Sequence, residues 1–397
     1  MKYKNALNLF PPELIETLQQ YVQGEYVYIP IKDKTEPATP TEYEIELQNR
    51  DRHIYTRHLE GVSNKKLSEM YNLSESSIRR IISNQRKGYA AMKDKIKSIL
   101  SNWNTAAIEM TQIYDTTWQV GEEAILKVYE SIDMLERNIK IISILDDMGI
   151  PVGSIIPTKE NTAFARDEQH YYILTERLHG KHIISIQDHL DTVSEMGTII
   201  ANLHLAFQEC EAQDEFWNNS LLGEMNSWVR STLEDGNWSY VSKEKFDSTV
   251  SDLADLYDKL PVQLIHRDVH FGNFLFDQGK FTGYIDFDLS QRNIRIFDLC
   301  YFMTGLLSEE EKLEVTSEEW FAILKKIFAG YEQKIKLSHE EKQAVPYVMK
   351  SIELLFAAWF SGQKDVKCAE NAMKLFDFVD RNAEKILRAI KRPDCAI

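Results

Sequence analysis

The stretch Leu264 to Phe276, LIHRDVHFGNFLF, joins two apolar runs through residues that could do chemistry. Asp268 lies five residues before Asn273 and eighteen before Asp286, which ends a further apolar run in GYIDFD. An unpaired ionised carboxylate inside a core costs several kcal/mol. Carboxylates at the ends of apolar strands therefore either face solvent on an ordinary hairpin or converge on something cationic.

Phosphoryl transfer is a reaction that needs this set of groups. It requires held and neutralised phosphates, a divalent metal between them, and an acceptor hydroxyl oriented for in-line attack. Hard oxygen ligands suit Mg²⁺, which takes one or two protein side chains besides phosphate oxygens and waters. A loop followed by two short strands could bring the three side chains to one cleft. We expect Asp268 to be the base or hydroxyl-orienting group, and Asn273 and Asp286 to be metal ligands. A solvated hairpin gives no reason for this clustering.

The composition is that of a globular protein, with 397 residues, 43% hydrophobic and 27% charged. This length favours two or three domains. The sequence has no run of about 18 apolar residues and begins without an apolar signal region, so we expect a cytoplasmic protein without a membrane segment. Its four scattered cysteines are expected to be reduced thiols: Cys210, Cys300, Cys368 and Cys395.

The charge is distributed unevenly along the chain. Residues 1–100 carry 16 Lys+Arg and 13 Asp+Glu, a net +3, whereas the remainder carries 30 and 49, a net −19. Between Arg50 and Lys97 the net charge is +7, from 12 basic and 5 acidic residues. One end of the chain could therefore attract a polyanion that the rest would repel, which argues for two functions.

The first hundred residues are predicted to contain a helix over 7–23, a short strand in GEYVYIP and a Pro-containing connector. Three further helices are expected, over 51–59, in NKKLSEMY and in ESSIRRIISNQRK, packed through apolar residues: Leu67, Met70, Leu73, Ile78, Ile81 and Ile82. Ser63 and Ser74 are expected to cap the second and third helices. This is the outline of a helix-turn-helix, whose last helix enters the DNA major groove.

The predicted DNA contacts follow from that outline. The early residues of the last helix would read bases: Ser76, Ser77, Arg79 and Arg80. Lys65, Lys66, Arg86 and Lys87 would lie near phosphates. The alternative interpretation is a small helical dimerisation domain with a solvated basic face.

The run from LFPPELIETLQQYVQGEYVYIP through GVSNKKLSEMYNLSESSIRRII resembles the phage Mor-type transcription activator family over most of residues 5–90. This resemblance implies DNA binding and a homodimer with residues 5–30 in its interface.

After Trp103 the pattern changes to short strands and then to helices. AIEMTQIYD and AILKVYE are expected to pair, separated by TTWQVGEE, with a helix in SIDMLERNIKIISILDDMG and a strand in QHYYILTERLHG. From residue 185 the chain is expected to be mainly helical. A strand-rich lobe of about 80 residues ahead of a helical lobe of about 210 is a kinase-like arrangement, so the predicted fold class is multidomain α+β: a helical helix-turn-helix domain followed by a bilobal kinase-like fold.

HRDVHFGNFLF followed by GYIDFD is similar to the catalytic and metal-binding segments of the aminoglycoside phosphotransferase/choline kinase family, and the resemblance extends over about 105–385. It implies that Asp298 braces the catalytic loop through backbone amides, that His204 is structural and that His266 orients the loop. Arg267 stands where the family usually has glycine, and we interpret it as tolerated variation.

The same resemblance implies a nucleotide site in the smaller lobe. Lys127 would contact nucleotide phosphates and pair with Glu136 on the following helix, and Leu174 to Leu178, including Glu176, would contact the adenine of ATP or the corresponding base of GTP. A kinase usually covers the phosphates with a glycine-bearing turn. The expected turn, DTTWQVGEE, has only Gly121.

We therefore expect domains over 1–98, 99–180 and 181–397. The expected function is transfer of the γ-phosphate of ATP or GTP to a hydroxyl of a metabolite or antibiotic, with Mg²⁺, in a chain that also binds DNA. The alternative is a transcription regulator whose kinase-like part senses a ligand without turnover. Candidate acceptor residues are Glu353, Trp359 and Asp365, because acidic and aromatic side chains suit a cationic amine.

Overall fold

A computed structural model describes residues 50–51, 54–55, 57–58, 61–71, 73–105, 109–114, 116–183, 186, 189–308 and 315–391. The helix expected over 7–23, the GEYVYIP strand, the connector after it and the dimer interface expected over 5–30 lie outside these residues, as does Cys395. The chain divides into two compact units, Met1–Arg86 and Lys87–Ile397. The described helices include none that could span a lipid bilayer.

The first unit contains the expected helical arrangement. Residues 54, 55, 57 and 58 are helical, followed by α1 (Asn64–Tyr71) and α2 (Glu75–Ile99). Ser63 and Ser74 accept hydrogen bonds from the backbone amides of Lys66 and Ser77, at 3.3 and 3.1 Å, so both predicted caps are present. The core of this unit is formed by Ile54, Leu67, Ile78, Ile81 and Ile82.

Two details of the first unit differ from the prediction. Met70 is 53% exposed, because Leu67 occupies the core-facing side of α1 and Ile54 supplies the remaining apolar contact. The last helix does not end at Lys87 but continues to Ile99, since neither Gly88 nor any proline breaks it. The division between the two units falls within this helix, after Arg86.

The second unit begins with a five-stranded antiparallel sheet: β1 (Met110–Tyr114), β2 (Thr117–Val120), β3 (Ala124–Tyr129), β4 (Ala165–Arg166) and β5 (Tyr171–Glu176), in the order β1-β2-β3-β5-β4. The helix α3 (Ile132–Asp147) follows β3. One face of the sheet packs on the end of α2 and on Trp103, through Trp118, Leu126 and Leu174. The other face turns Lys127 and Ile173 towards a cleft.

The expected pairing of AIEMTQIYD directly with AILKVYE is wrong. TWQV, which was assigned to the connection, is β2 and pairs with both neighbours, Thr117 opposite Tyr114 and opposite Lys127. Trp118 and Val120 alternate towards the core, and their burial stabilises this four-residue strand. Gly121, at φ +62°, therefore turns β2 into β3, and the turn between the first two strands contains no glycine.

The rest of this unit is mainly helical, as expected. Its helices are α4 (Leu190–Gln213), α5 (Leu221–Glu224), α6 (Arg230–Asp235), α7 (Lys243–Tyr257), α8 (Ile296–Gly305), α9 (Ser317–Glu332), α10 (His339–Gly362) and α11 (Val366–Lys391), with a π-helical segment over Met225–Val229. α4 and α9 approach closely at Gly197, where a Cβ would lie 1.9 Å from the carbonyl oxygen of Ile327. Capping boxes begin α9 and α10.

Two small antiparallel ladders support the acidic segments. β6 (Val262–Ile265) pairs with β9 (Gln291–Ile294), and between them lie a 3₁₀ turn (Phe271–Asn273) and the hairpin of β7 (Phe274–Asp277) and β8 (Lys280–Tyr284). The catalytic-type loop is therefore held by β-ladders at both ends. The predicted fold class, a helical head followed by a strand-rich lobe and a helical lobe, is confirmed.

Candidate active site

Asp298, at the start of α8, holds the loop that follows β6. Its two carboxylate oxygens accept hydrogen bonds from the backbone amides of His266 at 2.9 Å and Arg267 at 2.8 Å. His204 Nε2 bonds to the same carboxylate at 2.9 Å, and all three side chains of His204, Asp298 and His266 are fully buried. The bracing role expected of Asp298 and the structural role of His204 are confirmed.

His266 links the loop to the second acidic segment. Its Nε2 lies 3.1 Å from the carbonyl oxygen of Ile285, and its Nδ1 lies 3.4 Å from the backbone amide of Asp268. The His266 ring thus contacts the backbone of both Ile285, the residue before Asp286, and Asp268, the candidate base.

Arg267 has φ +67°, in the left-handed region that favours glycine. Its guanidinium donates two hydrogen bonds to Glu224, at 2.8 and 2.9 Å, and lies 5.7 Å from the ring of Phe297. These contacts and the bond from its amide to Asp298 offset the backbone strain. Arg267 is therefore a fixed part of the loop.

Asp268 is held at both carboxylate oxygens. Tyr301 Oη donates to Oδ1 at 2.7 Å, Asn273 Nδ2 donates to Oδ2 at 2.9 Å, and His270 Nε2 lies 3.5 Å from Oδ2. Burial alone would raise the pKa of Asp268, but the hydrogen bond and charge of His270 and the hydrogen bond from Tyr301 outweigh it and hold the pKa well below its usual range. Asp268 is therefore ionised and oriented at neutral pH.

Asn273 and Asp286 are neighbours across the small ladder. The backbone amide of Ile285 donates to the carbonyl oxygen of Asn273 at 3.1 Å, which places the next residue, Asp286, beside it. Asp286 has φ +62°, a strained conformation of the kind that collects at functional sites. Asn273 Nδ2 is bonded to Asp268, so Asn273 Oδ1 remains available to bind a cation. Asp286 offers carboxylate oxygens to the same cation.

This donor set fits Mg²⁺ bound together with phosphates. One amide oxygen and one carboxylate leave most of an octahedral shell to phosphate oxygens and water, as Mg²⁺ prefers. In the part of the chain described, no cluster of three or more His, Cys, Asp or Glu forms an all-protein metal cage. The three residues that the sequence placed in one cleft are thus brought together.

Lys127 lies between two carboxylates of the GYIDFD segment. Its Nζ is 2.9 Å from Asp286 Oδ1 and 2.6 Å from Asp288 Oδ2. Burial alone would lower the pKa of the Lys127 ammonium, but Asp288 and Asp286 outweigh it and the pKa is raised. The ammonium is therefore charged and points into the cleft.

The expected pairing of Lys127 with Glu136 is wrong for this structure. Glu136 lies on the exposed face of α3, whereas the buried face of that helix carries Leu135 and Asn138. Asn138 is 3% exposed and its Nδ2 bonds to Asp288 Oδ1 and, at 2.8 Å, to Tyr129 Oη. Asp288 and Asn138 thus connect Lys127 to α3, the connection that was predicted for Glu136.

The cleft between the sheet and the loop has a volume of about 780 Å³. Lys127, Asp268, Asn273 and Asp286 line it, and so do Glu176 and Leu178 in the segment after β5. Gly283 of β8 packs behind Leu178, where a Cβ would lie 2.5 Å from Leu178 Cδ1 and 3.1 Å from the carbonyl oxygen of Pro151, so a larger residue would displace the Leu178 side chain. At the other edge Ile113 and Tyr114, 44% and 64% exposed, line the cleft beside the glycine-free turn.

The acceptor candidates are placed differently from one another. Glu353 is 3% exposed and lines a second, smaller cavity next to Asp268. Trp359 and Asp365 are not among the residues that line this cavity. Trp359 is 49% exposed, and Asp365 accepts a hydrogen bond from the backbone amide of Cys368 as a helix cap.

The residues predicted to contact DNA belong to the first unit. Lys65 and Lys66 on α1, and Ser76, Arg79 and Arg80 on α2, are exposed. Ser77 is half-buried, and its amide and hydroxyl bond to the cap residue Ser74.

A family model described as the phosphotransferase enzyme family, APH, matches residues 110–334, more than half of the chain. The chain belongs to this family. The matched segment contains the residues of the cleft and of its supporting loop described above from Lys127 to Asp298. A second model, the Mor transcription activator family, matches residues 8–95.

The chain is similar to known kinases in part of its sequence and in its fold. A homoserine kinase from Phenylobacterium zucineum (strain HLK1) is 31% identical over 109 residues, 27% of this chain and 32% of that protein. The chain thus spans about a third of the length of this curated relative. An amicoumacin kinase solved with AMP-PNP, Ca²⁺ and Ami has a TM-score of 0.57 at 15% identity, covering 77% of this chain and 96% of that one. A microcompartment-associated aminopropanol kinase has 0.53 at 15%, covering 75% and 99%.

Sequence reasoning missed three residues that order the site, Tyr301, Asn138 and Glu224, and assigned no role to a fourth, Asp288. Asp288 carried a signal, since it follows Asp286 by two residues in the same segment. Asn138 was detectable as a polar residue on the apolar face of α3, with Leu135 and Ile141. Tyr301 and Glu224 come from distant helices, and no local pattern indicates them.

Proposed function

We propose that the chain transfers the γ-phosphate of ATP or GTP to a hydroxyl group of a small metabolite or antibiotic, with Mg²⁺ as the divalent cation. The observation that carries this proposal is the convergence of Asp268, Asn273, Asp286 and Lys127 on one cleft of about 780 Å³. These residues supply an anion for a hydroxyl, two metal-binding side chains and a cation for phosphates, which together match the needs of phosphoryl transfer.

The nucleotide end of the cleft is assigned to Lys127, Glu176 and Leu178. The Lys127 ammonium would move from its carboxylate partners to phosphate oxygens, which are stronger acceptors when a cation neutralises the carboxylates. Glu176 and Leu178 would contact the base through backbone groups at the edge of β5.

Asn273 and Asp286 would hold Mg²⁺, which neutralises charge on the phosphates. Asp268 would accept a hydrogen bond from the acceptor hydroxyl. Its lowered pKa makes it a weak base, so it orients the hydroxyl and takes the proton late, as a loose transition state allows.

One observation favours the alternative function, a ligand sensor without turnover. The turn between β1 and β2 has no glycine, and Tyr114 lies beside the cleft, so backbone amides are less free to approach phosphates. A ligand sensor without turnover, reporting to a DNA-binding unit, would tolerate such a turn. The exposed basic residues of α1 and α2 and the Mor match support DNA binding in either case. We propose further that the chain acts in the cytoplasm as a homodimer.

The test is phosphoryl transfer from ATP and from GTP, with Mg²⁺ and a panel of hydroxyl compounds that includes aminoglycosides, macrolides, sugars and amino alcohols. Product should be detected directly by ³¹P NMR, so that nucleotide hydrolysis is not mistaken for transfer. We expect Mg²⁺-dependent phosphorylation of at least one class. Tight nucleotide binding with no phosphorylated product across the panel would favour the sensor.

A further inference from the structure

The hairpin of β1 and β2 is short, and its turn is held against β3. Only two residues separate Tyr114 from Thr117, which lie opposite each other in the ladder. The backbone amide of Val128 in β3 donates to the carbonyl oxygen of Thr116, in the turn, at 2.8 Å. A turn that is tied to the sheet and has no glycine is not free to fold its backbone amides around phosphates. A nucleotide bound in this lobe would therefore need side-chain donors at the hairpin.

A β-bulge in β1 turns two consecutive side chains towards the cleft. Gln112 lies opposite Trp118, and Tyr114 lies opposite Thr117. Ile113 is thus the extra residue of the bulge. Successive side chains of a regular strand point to opposite faces, but Ile113 and Tyr114 both line the cleft. They are 44% and 64% exposed, so neither fills a core, and bulges of this kind re-aim side chains beside active sites.

Tyr114 lies in the same cross-strand row as Lys127. Thr117 of β2 is opposite Tyr114 of β1 on one side and opposite Lys127 of β3 on the other, and all three line the cleft. Adjacent strands are about 4.8 Å apart, so the backbones of Tyr114 and Lys127 are about 10 Å apart on one face of the sheet. Two long side chains that face the same cleft across this gap can contact one polyphosphate chain.

The neighbouring cleft-facing row marks the other end of the nucleotide site. Gln119, Ile125 and Thr175 lie opposite one another across β2, β3 and β5, and all three line the cleft. Thr175 directly precedes the segment that is assigned to the nucleotide base. Tyr114 is therefore at the end of the sheet where Lys127 would meet phosphates, and not at the base end.

We propose, resting on the phosphotransferase function above, that the Tyr114 hydroxyl donates a hydrogen bond to the phosphate chain of the nucleotide, which Lys127 binds from β3. A phenol O–H can donate to a phosphate oxygen, and the charge of the phosphate strengthens the bond. Ile113 covers this contact with apolar surface, which lowers the local dielectric and strengthens the bond further. The side chains of a bulged strand thus take the place of the amides of a glycine turn.

The experiment compares the full chain with Tyr114→Phe, which loses only the hydroxyl of an exposed side chain, by calorimetric titration. The ligands are AMP-PNP and GMP-PNP with Mg²⁺, and adenosine and guanosine, which have no phosphates. We expect Tyr114→Phe to raise the Kd for the triphosphate analogue by about tenfold, through loss of one charge-assisted hydrogen bond. The Kd for the nucleoside should stay within about twofold. Tyr171→Phe, in β5 but not in the lining of the cleft, is the matched control and should change neither value.

Parallel ³¹P NMR assays of phosphoryl transfer separate this proposal from the reaction. The expected effect of Tyr114→Phe on binding, without product from the wild type, would support the Tyr114 assignment while the phosphotransferase function fails. Product from the wild type, with an unchanged Kd for the triphosphate analogue in Tyr114→Phe, would overturn the assignment alone. Equal weakening of analogue and nucleoside would also overturn it, because the contact would then be to the base or the ribose. A chain that binds neither AMP-PNP nor GMP-PNP would overturn both.

Discussion

Asp288 and Lys127 form the contact on which the nucleotide end of the site depends. The Lys127 ammonium lies 2.6 Å from Asp288, and Asp288 is fixed in turn by Tyr129 and Asn138. Loss of this carboxylate removes a charge-assisted hydrogen bond worth about 1.5–3 kcal/mol.

We therefore predict that Asp288→Asn raises the KM for ATP by about tenfold, since Lys127 is no longer held towards the cleft. Glu136→Gln should leave the KM within about twofold of wild type, because Glu136 is exposed. Steady-state kinetics with a chosen acceptor give both values. A larger effect of Glu136→Gln would mean that the helix glutamate reaches Lys127 in the working enzyme.

Glu353 makes folding stability depend on pH. Its pKa is about 8 in the folded chain, above its ordinary value of 4.5, so the folded state retains a proton that the unfolded state releases. The stability contribution is complete below about pH 4.5 and is lost as pH rises towards 8. The other ionisable groups lining its cavity are His270, Tyr301 and Cys368.

We predict that the Tm difference between wild type and Glu353→Gln changes in favour of the variant between pH 5 and pH 8 and stays constant above about pH 9. Thermal unfolding of both proteins in matched buffers measures it. A difference independent of pH would show that Glu353 titrates near its ordinary value.

At the scale of elements, the contact of α4 with α9 depends on Gly197. A Cβ there would lie 1.9 Å from the Ile327 carbonyl oxygen and 2.7 Å from its carbon, both backbone atoms that cannot rotate away. At Gly88 of α2, a Cβ meets nothing within 4 Å.

These two glycines form a matched pair. Gly197→Ala should lower the free energy of unfolding by about 1–3 kcal/mol or more through overpacking. Gly88→Ala should raise it by about 0.5–1 kcal/mol, because alanine has the better helix propensity. Denaturant unfolding of both variants is the measurement, and equal effects at the two sites would refute the close packing of α4 on α9.

Elements with a strong local signal were predictable from the sequence. The helix caps at Ser63 and Ser74 and the helix of residues 132–147 follow from side chains close in the chain. β2 was missed because its four residues are too short to show a period, and its partners on both sides stabilise it. The end of α2 was misplaced because its last turns are stabilised by burial of Ile96 and Ile99 beside Trp103.

The same division applies to the site. Asp268, Asn273 and Asp286 were predictable because their types and spacing fit one reaction. The partner of Lys127 was not, since it depends on which face of α3 is turned to the cleft. The contact of Tyr301 with Asp268 spans 33 residues and exists only in the folded chain.

At the scale of the whole molecule, the charge distribution of the chain predicts how its DNA binding depends on salt. Residues 50–97 carry a net +7 and the part after residue 100 a net −19. If the basic residues of α1 and α2 contact phosphates, log K for DNA should fall linearly with log salt, by about 0.9 per phosphate.

We predict that Lys65→Ala with Lys66→Ala in the full chain weakens binding to all DNA sequences alike and makes the salt slope shallower by about one or two units. Arg79→Ala or Arg80→Ala should also reduce discrimination between sites. Fluorescence anisotropy at several salt concentrations measures both. Salt-independent binding, or none, would leave the first unit as a dimerisation module.

The measurement that tests the central claim most directly is made on Asp268→Asn, with Asp255→Asn on the exposed face of α7 as the control. The Kd for AMP-PNP with Mg²⁺ and the rate of phosphoryl transfer to an identified acceptor are determined on the same preparation. A phosphotransferase that orients its acceptor through Asp268 should keep its nucleotide affinity within about threefold and lose at least about a hundredfold in kcat. Transfer by Asp268→Asn at a rate near that of wild type would contradict the account.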